Sequence, residues 1–363
     1  MKNKKIVLWI AIILTAIIPI YAQQYDSEKD FKFYLYPDGD VVITEYIGSK
    51  KEIRIPPSIQ NKPVTGIGDS SFKDNESIIK VIIPDSVTFI GDWAFSCTSL
   101  TSINIPDSVI RIGDMAFLGC ANLTSINIPD SVTDMGEGTF YGCINLTRVT
   151  IGNGVTSIVG YRMDHNEGYG AFAYCESLTS ITIPKSVTII GWKAFSDCTS
   201  LTSVTIGSGV TEIFYEAFEG CTKLAIINVD VGNNAYSSQD GVLYNKDKTT
   251  LIAYPPGKKG TTFIIPKSVT SIGGFYGCTN LTSVTIGIGV TSIWGRAFEN
   301  CNNLTSVTFQ GTISSDNFGY YIEYWKRWIS PFDGDLRDKY LAGGKGTYKT
   351  TAPVSYNSVW TKQ

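Results

Sequence analysis

The sequence predicts a repeat solenoid, mainly β, and three observations carry that expectation. The eight cysteines, Cys97, Cys120, Cys143, Cys175, Cys198, Cys221, Cys278 and Cys301, are separated by 23, 23, 32, 23, 23, 57 and 23 residues. A fixed period of this kind marks an internal repeat. Apolar residues recur in phase with it: a leucine stands three residues after each cysteine, as at Leu123, and Ile126 and Ile128 follow at alternating positions. Finally, 43% apolar and 17% charged residues exclude a disordered chain.

One unit reads C-x-x-L-x-x-I-x-I-P-x-S-V-x-x-I-G-x-x-A-F-x-x. Its L-x-x-I-x-I part alternates as a short strand does, and the Pro or Gly that follows ends the strand and turns the chain. Twenty-three residues cannot close a core alone, so coils must stack their Leu, Ile, Val and Phe into shared columns. Parallel strands lie about 4.8 Å apart, so ten coils make a body about 50 Å long. The two or three domains expected of 363 residues thus give way to one extended body.

Taken in order, residues 1–22 read as a signal peptide. A basic start at Lys2, Lys4 and Lys5 precedes an apolar stretch from Ile6 to Ile20, with cleavage after Ala22. The alternative is an uncleaved anchor, although a stretch holding Pro19 is short of the ~20 residues of a spanning helix. The mature chain is expected to be exported, secreted or at a cell surface, with no membrane span. Residues 23–54 are assigned to an N-terminal β-hairpin cap turning at Pro37-Asp38-Gly39. Residues 55–309 form the solenoid of about ten coils, with insertions near 160–170 and 232–259. Residues 310–363 form an aromatic C-terminal cap, with Tyr320, Tyr321, Tyr324, Trp325, Trp328 and Phe332 crowded together. Those aromatics could alternatively present a binding patch.

The unit resembles the BspA-like bacterial leucine-rich repeat of the surface-antigen type. Ile105-Pro106-Asp107-Ser108-Val109 through Cys120 and Leu123 follows its I-P-x-S-V-x-x-I-G-x-x-A-F-x-x-C-x-x-L pattern. Asp240-Gly241-Val242-Leu243-Tyr244-Asn245 with Ala253-Tyr254-Pro255 is similar to its longer variant. Asn75 takes the cysteine slot of an earlier unit, an exchange known in leucine-rich repeats. The likeness implies an exported or cell-surface adhesin or surface antigen that binds host or bacterial macromolecules, protein or glycan, without catalysis. The alternative is a structural envelope component with no specific ligand.

Stacked cysteines point their Cβ atoms in parallel, farther apart than the ~3.8 Å a disulfide prefers, so free buried thiols are expected. Metal binding finds no C-x-x-C and a single histidine, His165. No cofactor is expected, and a net charge of −3 argues against nucleic-acid binding. Paired carboxylates suited to glycan hydrolysis do not recur in the repeat. The outward strand positions form two columns, one through Ser125, Arg148, Ser180 and Ser203 and one through Asn127, Thr150, Thr182 and Thr205. They read either as solvated ladders or as part of a broad binding surface. With Tyr161, Arg162, His165 and Tyr169 of the first insertion, they are the candidate ligand contacts.

Overall fold

The computed structural model describes residues 25–160, 168–214, 216–322 and 327–363. The expected signal peptide, and Tyr161, Arg162 and His165, lie outside the described residues. A typical coil contributes one longer strand at L-x-x-I-x-I and one strand of two residues, often followed by glycine, as at Gly91 and Gly113. Longer strands run from Glu52–Arg54 through Ser125–Ile128 and Ser203–Ile206 to Ser306–Phe309, and short ones from Phe89–Ile90 to Ser292–Ile293. Where strands of neighbouring coils pair, they run parallel and in register, as in Ser203↔Ile226 and Ile206↔Val229. The architecture is therefore the mainly β solenoid the period predicts.

Strands Phe31–Leu35 and Val41–Tyr46 pair antiparallel, and the second then pairs parallel with Lys62–Ile67. Phe31, Val41 and Ile43 join the core. At the far end Gly346–Lys349 lies antiparallel on Ser306–Phe309. There Phe332, Leu336, Tyr340, Tyr348 and Trp360 are buried, whereas Tyr320 is exposed. Phe332 of the expected aromatic cap is thus buried together with the helix Leu336–Gly343, while Tyr324 and Trp325 lie outside the described residues.

Phenylalanines of successive turns stack from Phe72 to Phe218, with Phe95–Phe117 at 5.4 Å, Phe117–Phe140 at 5.2 Å and Phe140–Phe172 at 5.3 Å between centroids. This separation follows the inter-strand spacing of roughly 4.8 Å, so ring stacking and strand pairing are satisfied together. Every cysteine is free. Seven are buried and each of these directs its thiol to a backbone carbonyl one coil earlier, as Cys143 Sγ to Phe117 O at 3.2 Å and Cys198 Sγ to Phe172 O at 3.2 Å.

Cys97 departs from the expected column. It is exposed at φ +55°, the left-handed position that Gly119, Gly142 and Gly220 hold in other coils. Thr98 occupies the inward slot instead, its amide bonding Phe95 O at 3.3 Å just as the Cys120 amide bonds Phe117 O at 3.2 Å. Thr98 Oγ1 donates to Phe95 O at 2.8 Å. The coil is one residue shorter between the slot and Leu100, so the spacing from Cys97 to Cys120 keeps the period only by compensation. Asn75 does occupy its slot, half-buried, accepting from the Ser77 amide at 3.2 Å.

The two insertions behave differently. Gly160 and Gly170 bridge antiparallel and close the first at its base. The second is part of the body and not an appended loop. Tyr236–Gln239, Val242–Asn245 and Thr250–Ala253 form an antiparallel unit whose last strand pairs parallel with Ser271–Ile272. Val242, Leu243, Tyr244 and Leu251 are buried by it.

Candidate binding surface

The outward columns are set by strand alternation. In Ser125–Ile128 the pattern is exposed, buried, exposed, buried, which puts Ile126 and Ile128 inside and Ser125 and Asn127 outside. The same geometry exposes Arg148, Thr150, Ser180 and Thr182, while Ser203 and Thr205 are half-buried. Register brings Ser125 beside Arg148 and Asn127 beside Thr150, and likewise Ser180 beside Ser203 and Thr182 beside Thr205. The eight predicted strand positions therefore share one face.

That face is not continuous. Arg148–Ile151 and Ser180–Ile183 belong to different sheets and do not pair, although the short strands of the same two coils do, Ser157↔Ile189 and Ile158↔Ile190. Between the unpaired strands lies a cleft of about 690 Å³ lined by Arg148, Thr150, Asn153, Thr179, Ser180 and Thr182, over Val149 and Ile151. Its walls offer hydroxyls, one amide and one guanidinium. A guanidinium presents a fork of donors matched to carboxylates and phosphates. Sequence reasoning found the residues but not the cleft, because no residue type marks the loss of pairing between two strands of standard pattern.

Tyr169 lies elsewhere. Its ring meets Tyr141 at 5.0 Å, and Tyr141 meets Tyr174 at 5.1 Å, on the turn side of the coils. The structure therefore separates it from the Ser/Thr face. Burial raises the Tyr141 and Tyr174 phenols, helped for Tyr174 by the charge of Asp197.

Just before most of the longer strands stands a threonine whose role the sequence left unmarked. Thr147 Oγ1 donates to Thr124 O at 2.9 Å and Thr202 Oγ1 to Thr179 O at 2.9 Å. A second ladder runs along the short strands, Thr188 Oγ1 to Thr156 O at 3.1 Å and Thr270 Oγ1 to Thr249 O at 3.2 Å. These hydroxyls tie coil to coil. Asparagines two positions earlier add to this, Asn145 Nδ2 donating to Ala121 O at 2.8 Å and Asn303 Nδ2 to Thr279 O at 2.8 Å.

The stacked unit has known counterparts. A family model described as the BspA-type leucine-rich repeat region, in six copies, matches residues 47–168, 165–258 and 253–322. The chain belongs to the BspA-type leucine-rich repeat family. Among solved structures it is similar to a leucine-rich cell surface protein of Faecalibacterium prausnitzii A2-165, at 36% identity and a TM-score of 0.66, over 78% of this chain and 76% of that one. It also shares its fold with the pneumococcal vaccine antigen PcpA, at 22% identity and a TM-score of 0.54, over 78% of this chain and 68% of that one. No curated protein matches it. As a BspA-type repeat protein it carries its apolar signature inward, which leaves the outward positions free to vary without cost to the core. Among the described residues, no helix is long and apolar enough to cross a membrane.

Proposed function

We propose that this BspA-type chain is an exported cell-surface protein that binds protein or glycan partners non-catalytically through the face of Ser125, Asn127, Arg148, Thr150, Ser180, Thr182, Ser203 and Thr205. The cleft between Arg148–Ile151 and Ser180–Ile183 carries this reading. It is an exposed, polar recess of a size that ligand sites have, within the ~300–1,000 Å³ usual for them. The cell-surface description of the Faecalibacterium relative supports the location. Rigid stacked coils hold the hydroxyls at fixed spacing, which lowers the entropy lost on binding a macromolecule.

The test is dose-dependent binding of the secreted chain to immobilised host matrix proteins and to a glycan array, beside Thr150→Glu and Ser180→Glu variants. Saturable binding lost in the variants, with the thermal midpoint unchanged, is expected. Saturable binding that survives both substitutions overturns the site. Absence of any saturable partner would favour a structural envelope component.

A further inference from the structure

The threonine ladder beside the outward face loses a rung at the cleft. In paired coils the threonine before the longer strand bonds twice to its counterpart one coil earlier. Thr147 sends both its amide and its hydroxyl to Thr124 O at 2.9 Å, and Thr202 sends both to Thr179 O at 2.9 Å. Among the described residues, Thr179 makes neither bond to Thr147 O. Its hydroxyl and that carbonyl are left to the cleft, which Thr147 and Thr179 both line. The short strands of the two coils stay paired through Ser157↔Ile189, so the coils part on the side of the longer strands.

Charge marks this opening. Thr124 makes no such bond to Thr101 either, but there the flanking outward side chains are Ser102, Asn104, Ser125 and Asn127, all uncharged. Among the described residues lining the cleft, Arg148 alone is charged. Arg111 elsewhere has Asp92 at 3.9 Å and Asp134 at 3.4 Å, whereas Arg148 has no carboxylate in ion-pair reach among the described residues. At the opposite end of the strand Arg148–Ile151, Asp130 Oδ1 accepts from the Asn153 amide at 2.6 Å and from its Nδ2 at 3.4 Å. The cleft therefore has a guanidinium at one end and a carboxylate bordering the other.

We propose that the cleft receives a glycan in which a carboxylate-bearing sugar adjoins a neutral one. The carboxylate sits on Arg148, whose guanidinium meets it as a two-pronged donor. The neutral sugar lies toward Asn153, where Asp130 would repel a second anion. Thr147 O accepts, and the hydroxyls of Thr179, Ser180 and Thr182 both donate and accept. A sugar ring carries the same two-way hydroxyls, with an apolar face to set on Val149 and Ile151. A glutamate side chain would leave most of these groups unpaired, which costs affinity. The proposal rests on the reading that this face binds macromolecules, and it names the chemistry of the partner.

The probes are the glucuronosyl-N-acetylglucosamine disaccharide, its methyl ester, cellobiose sulfate and acetyl-Gly-Glu-Gly-amide, titrated by NMR against the full chain. The acid is expected to bind about tenfold tighter than the ester, the value of a charged hydrogen bond. Arg148→Gln should abolish that difference, and Arg148→Lys, which keeps the charge without the fork, should restore part of it. Thr179→Val should weaken acid and ester alike, by about threefold. Equal binding of acid and ester, or indifference to Arg148→Gln, would overturn the proposal. So would cellobiose sulfate or the glutamate peptide binding as tightly as the acid. Disaccharide binding that survives Thr150→Glu would overturn the site. Saturable matrix-protein binding that Thr150→Glu abolishes, with no disaccharide bound, would remove the acidic glycan and leave the face. Disaccharide binding lost in Arg148→Gln, with no matrix protein bound, would support the glycan as the partner.

Discussion

The Cys221 thiol donates to the Phe195 carbonyl oxygen one coil earlier, at 3.1 Å. That carbonyl also takes the Cys198 amide at 3.4 Å, so the thiol fills its second lone pair where no water reaches. The slot therefore wants a small, mostly apolar donor, and the thiol is one. At Thr98 a hydroxyl does related work by turning back to its own coil's Phe95 carbonyl.

Removing the donor should cost stability, and removing the misplaced cysteine should not. Cys221→Ala leaves a small void and an unfilled carbonyl, for a loss of ~1–3 kcal/mol. Cys97→Gly relieves a left-handed L-residue and should stabilise by ~1 kcal/mol or less. Midpoints of urea unfolding measure both.

Thiol reactivity should divide the cysteines one to seven. In the native protein Ellman's reagent should titrate Cys97 quickly and leave the seven buried thiols protected. In denaturant without reductant all eight should react. Fast native labelling of several thiols would contradict the carbonyl ladder.

Stability should fall in alkali. Burial pushes the Cys120 thiol up to about 11, and those of Cys143, Cys175, Cys221 and Cys278 well above the ordinary range. For a raised folded-state value, the unfolded chain loses its protons first as pH rises. The contribution is whole below the unfolded thiol range near pH 9 and disappears toward pH 11. For Cys120 the loss across that window is ~2–3 kcal/mol at ~1.4 kcal/mol per unit. The thermal midpoint between pH 8 and pH 11 gives the measurement, and Cys120→Ser should flatten part of the slope.

Ring stacking should outweigh the hydroxyl ladder. Phe140 is fully buried between Phe117 and Phe172, so Phe140→Ala should cost ~3–5 kcal/mol. Thr202→Val removes one exposed bond to Thr179 and should cost ~1 kcal/mol or less. Hydrogen exchange should show the Phe140 defect concentrated in adjoining coils, since each coil touches only its neighbours.

Periodicity alone determined the repeat, the strand positions and the inward columns. A stacked unit has one way to bury Leu123, Ile126, Ile128 and Phe140, and strand alternation then dictates that Ser125 and Asn127 face outward. The same local logic failed at Cys97, where compensating one-residue changes hide an offset that only backbone φ and the Phe95 hydrogen bonds expose. Three further features belong to the tertiary structure. They are the unpaired strands at Arg148 and Ser180, the insertion that becomes a coil through Val242 and Leu251, and the missing rung between Thr147 and Thr179. Each depends on how one coil meets the next, and a repeat pattern specifies the coil while leaving irregular junctions to the packing of particular neighbours.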